Sequence, residues 1–160
     1  MPRVNRDEIF ADDEIQVFHL VNRCVRRTFL CGRDDITGRD YSHRKQWIRD
    51  RLEVLAGIFA VDVLSFAVMA NHIHLVANVH SDSDPETIKR DYKSYASREL
   101  NVQWGEPKSK TWWTASASAR KLDTDNSVTG AIQYICDQEF PLLIWTLERG
   151  IIVPPPINQQ

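Results

Sequence analysis

Apolar residues at Val17, Leu20, Val21 and Val25 sit in a β-rich stretch from Ile15 to Val25, which predicts a first strand. Arg26 to Asp40 carries Gly32, Gly38 and several charges and reads as a loop. The period then changes: Ile48, Leu52, Leu55 and Phe59 stand at i, i+4, i+7 and i+11, one stripe of a helix over Tyr41 to Phe59. Val61 to Met69 is apolar and β-branched, Ala70-Asn71 is turn-like, and His72 to Val79 is again β-rich, so the pair predicts an antiparallel hairpin. Asp84-Pro85-Glu86 places an N-cap type residue before a proline at the first helical position and opens a polar helix to about Leu100. Asn101 to Lys110 reads as a loop and Thr111 to Leu122 as a strand. Asp123 to Ser127 then offers N-cap residues for a last helix that ends before Pro141.

The first six elements of the order β-α-β-β-α-β-α match the ferredoxin-like split pattern. The expected fold class is therefore α+β, an antiparallel sheet with helices on one face, plus a C-terminal helix. At 160 residues the chain is expected to form one domain. Its boundaries are read as a polar lead-in over 1–14, the domain over 15–140, and a partly extended tail over 141–160 that contains Pro154, Pro155 and Pro156.

Twenty Lys and Arg against twenty-two Asp and Glu give a net charge of −2, which argues against a protein that coats duplex DNA by overall charge. Any nucleic-acid site is then a local patch. One candidate runs through Arg23, Arg26 and Arg27, and another lies on the second helix at Lys89, Arg90, Lys93 and Arg98, interleaved with Tyr92 and Tyr95 as base-stacking rings. For the Arg23 stretch a solvated loop and helix face is the alternative reading. Three scattered cysteines without a Cys-x-x-Cys pair suit reduced thiols in a cell interior. No apolar run approaches the ~20 residues of a membrane span, and the N-terminus lacks an apolar signal core, so a cytoplasmic location with no membrane partner is expected.

The densest chemical signal is Asn71-His72-Ile73-His74-Leu75-Val76. Residues i and i+2 of a strand share a face about 6.6 Å apart, so both imidazoles can converge on one divalent ion while Ile73 and Leu75 point to a core. Two nitrogens do not complete a site, and an isolated His-x-His reads first as a pair of ordinary strand residues with satisfied hydrogen bonds. In the last helix Val128, Ile132 and Ile135 form an apolar stripe, whereas Tyr134 and Gln138 lie on another face with Ser127, Gly130 and Ala131. That small, polar face leaves room for a large neighbour beside the tyrosine. Tyr134 and Gln138 can be read as a nucleophile and ligand, or as part of an amphipathic helix with an edge-packed ring.

Taken together, Phe18-His19-Leu20-Val21-Asn22-Arg23, Phe66 through Val76, Tyr92 through Arg98 and Tyr134-Ile135-Cys136-Asp137-Gln138 resemble the single-tyrosine HUH transposases. This family includes the REP-associated tyrosine transposases and small insertion-sequence transposases that act on single-stranded DNA. The resemblance implies His72, His74 and Gln138 as ligands of a divalent metal, Mg²⁺ or Mn²⁺, and Tyr134 as nucleophile on a C-terminal catalytic helix. It implies cleavage through a 5′-phosphotyrosine at single-stranded sites flanked by a hairpin or imperfect palindrome, and a possible homodimer. Ala70 stands where the family usually has proline. A replication-initiator or relaxase-type HUH nickase would use the same residues. A non-catalytic, domesticated single-stranded nucleic-acid-binding protein would need neither tyrosine nor metal. A metal-dependent hydrolase ranks last, because no Asp or Glu accompanies the His pair.

Overall fold

Alternation governs β1 (Gln16–Arg23): Phe18, Leu20 and Asn22 are buried on one face, while Val17, His19 and Val21 are half-buried on the other. The chain continues through α1 (Arg44–Phe59), β2 (Val61–Val68), β3 (His72–Val79), α2 (Pro85–Trp104), β4 (Ser118–Leu122), α3 (Asp125–Cys136), β5 (Leu143–Thr146) and β6 (Gly150–Ile152). This computed structural model describes residues 16–25, 29–59, 61–80, 85–107, 109–115 and 117–152. The expected lead-in over 1–14, Arg26, Arg27, the N-cap candidate Asp84 and the proline tail lie outside them.

One antiparallel sheet of six strands runs in the order β4-β1-β3-β2-β5-β6. Its first four strands have the ferredoxin-like arrangement, so the predicted fold class stands. Phe66, Val68 and Ile73 pack against Ile48, Leu52 and Leu55 of α1 and Tyr92, Ala96 and Leu100 of α2. On the opposite face Ala67, Val76, Leu122 and Ile144 pack against Ala131 and Ile135 of α3. The sheet is thus a middle layer, and among the described residues α3 is the helix on the second face. Each fully buried aliphatic side chain there, such as Ile135, contributes about 1.5–3 kcal/mol of transfer free energy.

Three strands depart from the sequence reading. Leu143–Thr146 pairs with β2 and Gly150–Ile152 with β5, so residues assigned to the tail extend the sheet. At four and three residues they are too short to show a period of two, and Phe66 opposite Trp145 supplies the pairing signal only once the strands meet. The strand predicted over 111–122 begins at Ser118. Trp113 instead is buried, its indole N–H donating to the Lys93 carbonyl (3.2 Å) and the Ser97 hydroxyl (3.1 Å), and this holds the preceding loop against α2.

The β2–β3 turn is braced from outside. Met69 N donates to the His72 carbonyl (2.9 Å), Cys24 N to the Asn71 carbonyl (2.9 Å) and Leu30 N to the Ala70 carbonyl (2.7 Å). These bonds fix the start of β3, where the histidine pair begins. Arg44 secures the same loop: its guanidinium lies over the Tyr41 and Trp104 rings (4.3 and 4.0 Å) and donates to the Phe29 and Leu30 carbonyls (2.9 and 3.1 Å).

Candidate active site

His72 and His74 project from the face of β3 that α3 covers, with ring centroids 4.8 Å apart. Asn71 Oδ1 lies 2.6 Å from His72 Nδ1. A carboxamide oxygen only accepts, so Nδ1 carries the proton and Nε2 keeps a lone pair. His74 is buried, and its Nδ1 lies 3.0 Å from Nε2 of His19 on β1. Burial, then the neighbouring His72, His19 and Arg23, push the His74 pKa down to about 4. Burial also lowers those of His72 and His19, with Arg23 and Arg120 as the respective secondary causes. All three imidazoles are held toward the neutral form that binds metal.

Tyr134 reaches this cluster from α3. The helix is fixed at its start by Thr124, whose hydroxyl accepts from Ser127 N (3.2 Å) while the Ser127 hydroxyl accepts from Thr124 N (3.1 Å). Ala131 and Ile135 anchor its underside and leave Tyr134 52% exposed. Its ring meets those of His74 and His19 edge-on, at 5.6 and 5.9 Å. His19, His74 and Tyr134 line a cleft of about 490 Å³ whose walls include Ser118 and Arg120 of β4 and Ser127, Gly130 and Ala131 of α3. The small face read from the sequence is thus one wall of this cleft. A Cβ at Gly130 would meet nothing within 4 Å.

The residues present fit a divalent cation. His74 Nε2 is buried without a hydrogen-bond partner, a costly state for a ring nitrogen unless something binds there. That atom is enclosed, so a cation reaches it only when a neighbouring group shifts. Among the described residues no three His, Cys, Asp or Glu side chains are grouped to hold a metal ion, because His19 faces the other nitrogen of His74. Gln138, the third ligand that the resemblance implies, lies just past the end of α3. Its side-chain amide donates to the Tyr134 carbonyl (2.9 Å).

The cationic candidates divide. Arg23 is exposed at the end of β1 as the cross-strand partner of His72, beside the cluster. Lys89, Arg90, Lys93 and Arg98 ride on α2, across the sheet from Tyr134. Lys89 is buried, which removes it from any binding surface here, because its position next to Ile88 falls on the apolar face of α2. Lys93 donates to the Thr114 carbonyl (3.1 Å), and Arg90 pairs with Asp91 (3.3 Å). Arg98 is exposed near the Tyr95 ring, which Arg51 also covers. Tyr92 is a core residue, and burial raises its pKa far above the phenol range, so it is no stacking platform. The sequence reading missed His19 and Arg120 as site residues. Alternation of Phe18 and Leu20 against His19 was a usable signal for the first.

The site thus sets a His-x-His strand beside a helical tyrosine on a ferredoxin-like sheet. The family model for IS200-like transposases matches residues 16–138, and the chain belongs to that family, the single-tyrosine HUH transposases. No curated protein sequence matches the chain. Among solved structures, it is similar to a REP-associated tyrosine transposase bound to a REP hairpin, with TM-score 0.62, 12% identity, and coverage of 84% of this chain and 70% of that one. It is also similar to a Deinococcus radiodurans R1 protein described as a transposase, with TM-score 0.54, 14% identity, and coverage of 88% and 99%. No helix among the described residues is long and apolar enough to cross a membrane.

Proposed function

We propose that the protein is a metal-dependent single-strand DNA endonuclease and strand transferase that cleaves through Tyr134. The observation that carries this reading is the convergence of Tyr134 on His74, 5.6 Å between rings, from a helix and a strand about sixty residues apart in sequence. The Tyr134 oxygen gives up its phenolic proton to water and attacks the scissile phosphorus, forming a 5′-phosphotyrosine. The bond to the 3′ oxygen breaks, and that oxygen takes up a proton to become a free 3′-hydroxyl. Attack by another 3′-hydroxyl reverses the step and joins strands without a separate energy source. His72, His74 and Gln138 would hold a divalent cation, which when bound supplies Lewis-acid neutralisation of charge developing on the phosphate.

Arg23 and the cleft-lining Arg120 supply the cations for a strand entering the cleft, and open space at Gly130 gives the backbone room to approach. The similarity to a transposase solved with a REP hairpin supports DNA sites flanked by a hairpin. To test the reading, labelled single strands flanking the gene are incubated with wild type or Tyr134→Phe, in Mn²⁺ or EDTA. Cleavage restricted to wild type with metal is expected. Strand binding without cleavage under every condition would favour a non-catalytic DNA-binding protein.

A further inference from the structure

Each nitrogen that would bind metal in the histidine pair depends on where the ring's single proton sits. For His72 the matter is closed by Asn71, whose carboxamide oxygen only accepts. For His74 it is open, because its Nδ1 faces another imidazole nitrogen, His19 Nε2, at 3.0 Å, and either ring could donate.

Two arrangements are possible. If His19 donates, the proton of His74 must sit on Nε2, a buried atom without a partner, which leaves an orphaned N–H donor. If His74 donates from Nδ1, its Nε2 is a bare lone pair, and the proton of His19 sits on Nδ1. His19 is only half-buried, so that N–H can be solvated. The second arrangement avoids a buried unpaired donor. It also leaves the lone pair that a cation requires.

We infer that His19 is a positioning residue that fixes the tautomer of His74, accepting from His74 Nδ1–H so that Nε2 is kept as a metal donor. His19 also lines the cleft and touches the Tyr134 ring edge, so it ties the orientation of the buried ligand to the wall that carries the nucleophile. The inference rests on the metal-site reading above for its purpose, but its structural content concerns the metal-free protein.

The test is long-range ¹H–¹⁵N correlation NMR of the metal-free, ¹⁵N-labelled protein near pH 7.5, which distinguishes protonated from bare ring nitrogens. The five histidines are assigned by single substitutions. Wild type is expected to show His74 protonated at Nδ1. His19→Gln, whose side-chain oxygen can accept in place of Nε2, is expected to retain that state, and His19→Leu to give a mixture of tautomers. Mn²⁺ titration is expected to lose about 10- to 100-fold in affinity in His19→Leu, with most of it restored in His19→Gln. Protonation of His74 at Nε2 in wild type, or an unchanged tautomer and Mn²⁺ affinity in folded His19→Leu, would overturn the inference. If His19→Leu fails to fold, the wild-type spectrum still decides the tautomer. A wild type with the expected tautomer but no Mn²⁺ binding would remove the metal-site reading, and with it the purpose assigned to His19, while the tautomer result stands.

Discussion

The side-chain amide of Gln138 donates to the backbone carbonyl of Tyr134 at 2.9 Å. The residue assigned as third ligand is therefore folded onto the helix end that carries the proposed nucleophile, and it is held there by its amide nitrogen, whereas a carboxamide binds a cation through its oxygen. The exposed bond is worth about 0.5–1.5 kcal/mol. Gln138→Ala should lower the melting temperature by no more than about 2–4 °C and weaken Mn²⁺ binding at least tenfold. Calorimetry of both properties separates the structural from the ligand role, and unchanged Mn²⁺ affinity would remove Gln138 from the site.

Tyr134 and Ile135 are adjacent on α3 but have opposite roles. Ile135 is fully buried against the sheet, so Ile135→Ala should cost about 2–5 kcal/mol in urea unfolding. Tyr134 is half-exposed, and Tyr134→Phe should change stability by less than about 0.5 kcal/mol while abolishing strand cleavage. A strongly destabilised Tyr134→Phe would point to a packing role for the hydroxyl instead.

The titrating groups predict a plateau of stability. His74, His72 and His19 have pKa values below 6.5 in the folded protein, so the unfolded chain binds more protons and stability falls as pH drops below about 6.5. Burial pushes the thiols of Cys24 and Cys31 up to about 12 and about 11. Their contribution is fully present below about 9, the usual thiol value, and is lost as pH rises through the folded values. Metal-free urea melts from pH 4 to 10 should show the flat region between about 6.5 and 9. Stability that keeps rising as pH drops to 5 would contradict the assignment for the histidines.

The split of basic residues between the two faces of the sheet gives a charge prediction. Replacing Arg23 and Arg120 by alanine should slow cleavage, weaken single-strand binding and reduce the salt slope by about 0.7 for each phosphate that is no longer neutralised. Arg90→Ala with Arg98→Ala should leave cleavage of a short unstructured strand within about twofold, since α2 lies across the sheet from Tyr134. Lys89→Ala should register in stability, because that side chain is buried. Binding isotherms at several salt concentrations and unfolding curves for each variant check all three statements.

Local periodicity and helix-start signals together made the four-strand sheet and the three helices among the described residues legible. Ile48, Leu52 and Leu55 mark α1, and Thr124 caps α3 within the predicted window. The His72 and His74 pair was readable because both lie on one strand. For His19, alternation with Phe18 and Leu20 marked the face, but its contact with His74 was not readable, since that contact is set by pairing between β1 and β3 and spans 55 residues of sequence. The strand composition there emphasised Val17 and Val21, its neighbours on the same face. Lys89 and Tyr92 were read as surface by residue type, although Ile88, Tyr92 and Ala96 at i, i+4 and i+8 already mark an inward stripe.

The central claim is that Tyr134 becomes covalently joined to DNA. Trypsin cleavage after Lys and Arg places each of the four tyrosines in a different peptide, with Tyr134 alone in Leu122–Arg149 and the others in Asp40–Arg44, Asp91–Lys93 and Ser94–Arg98. The direct measurement is to trap the adduct with Mn²⁺, digest protein and DNA, and locate the residual nucleotide by tandem mass spectrometry. A phosphonucleotide on Leu122–Arg149 at Tyr134, absent from EDTA controls, is expected. The same modification on one of the other three peptides, with Leu122–Arg149 unmodified, would contradict it.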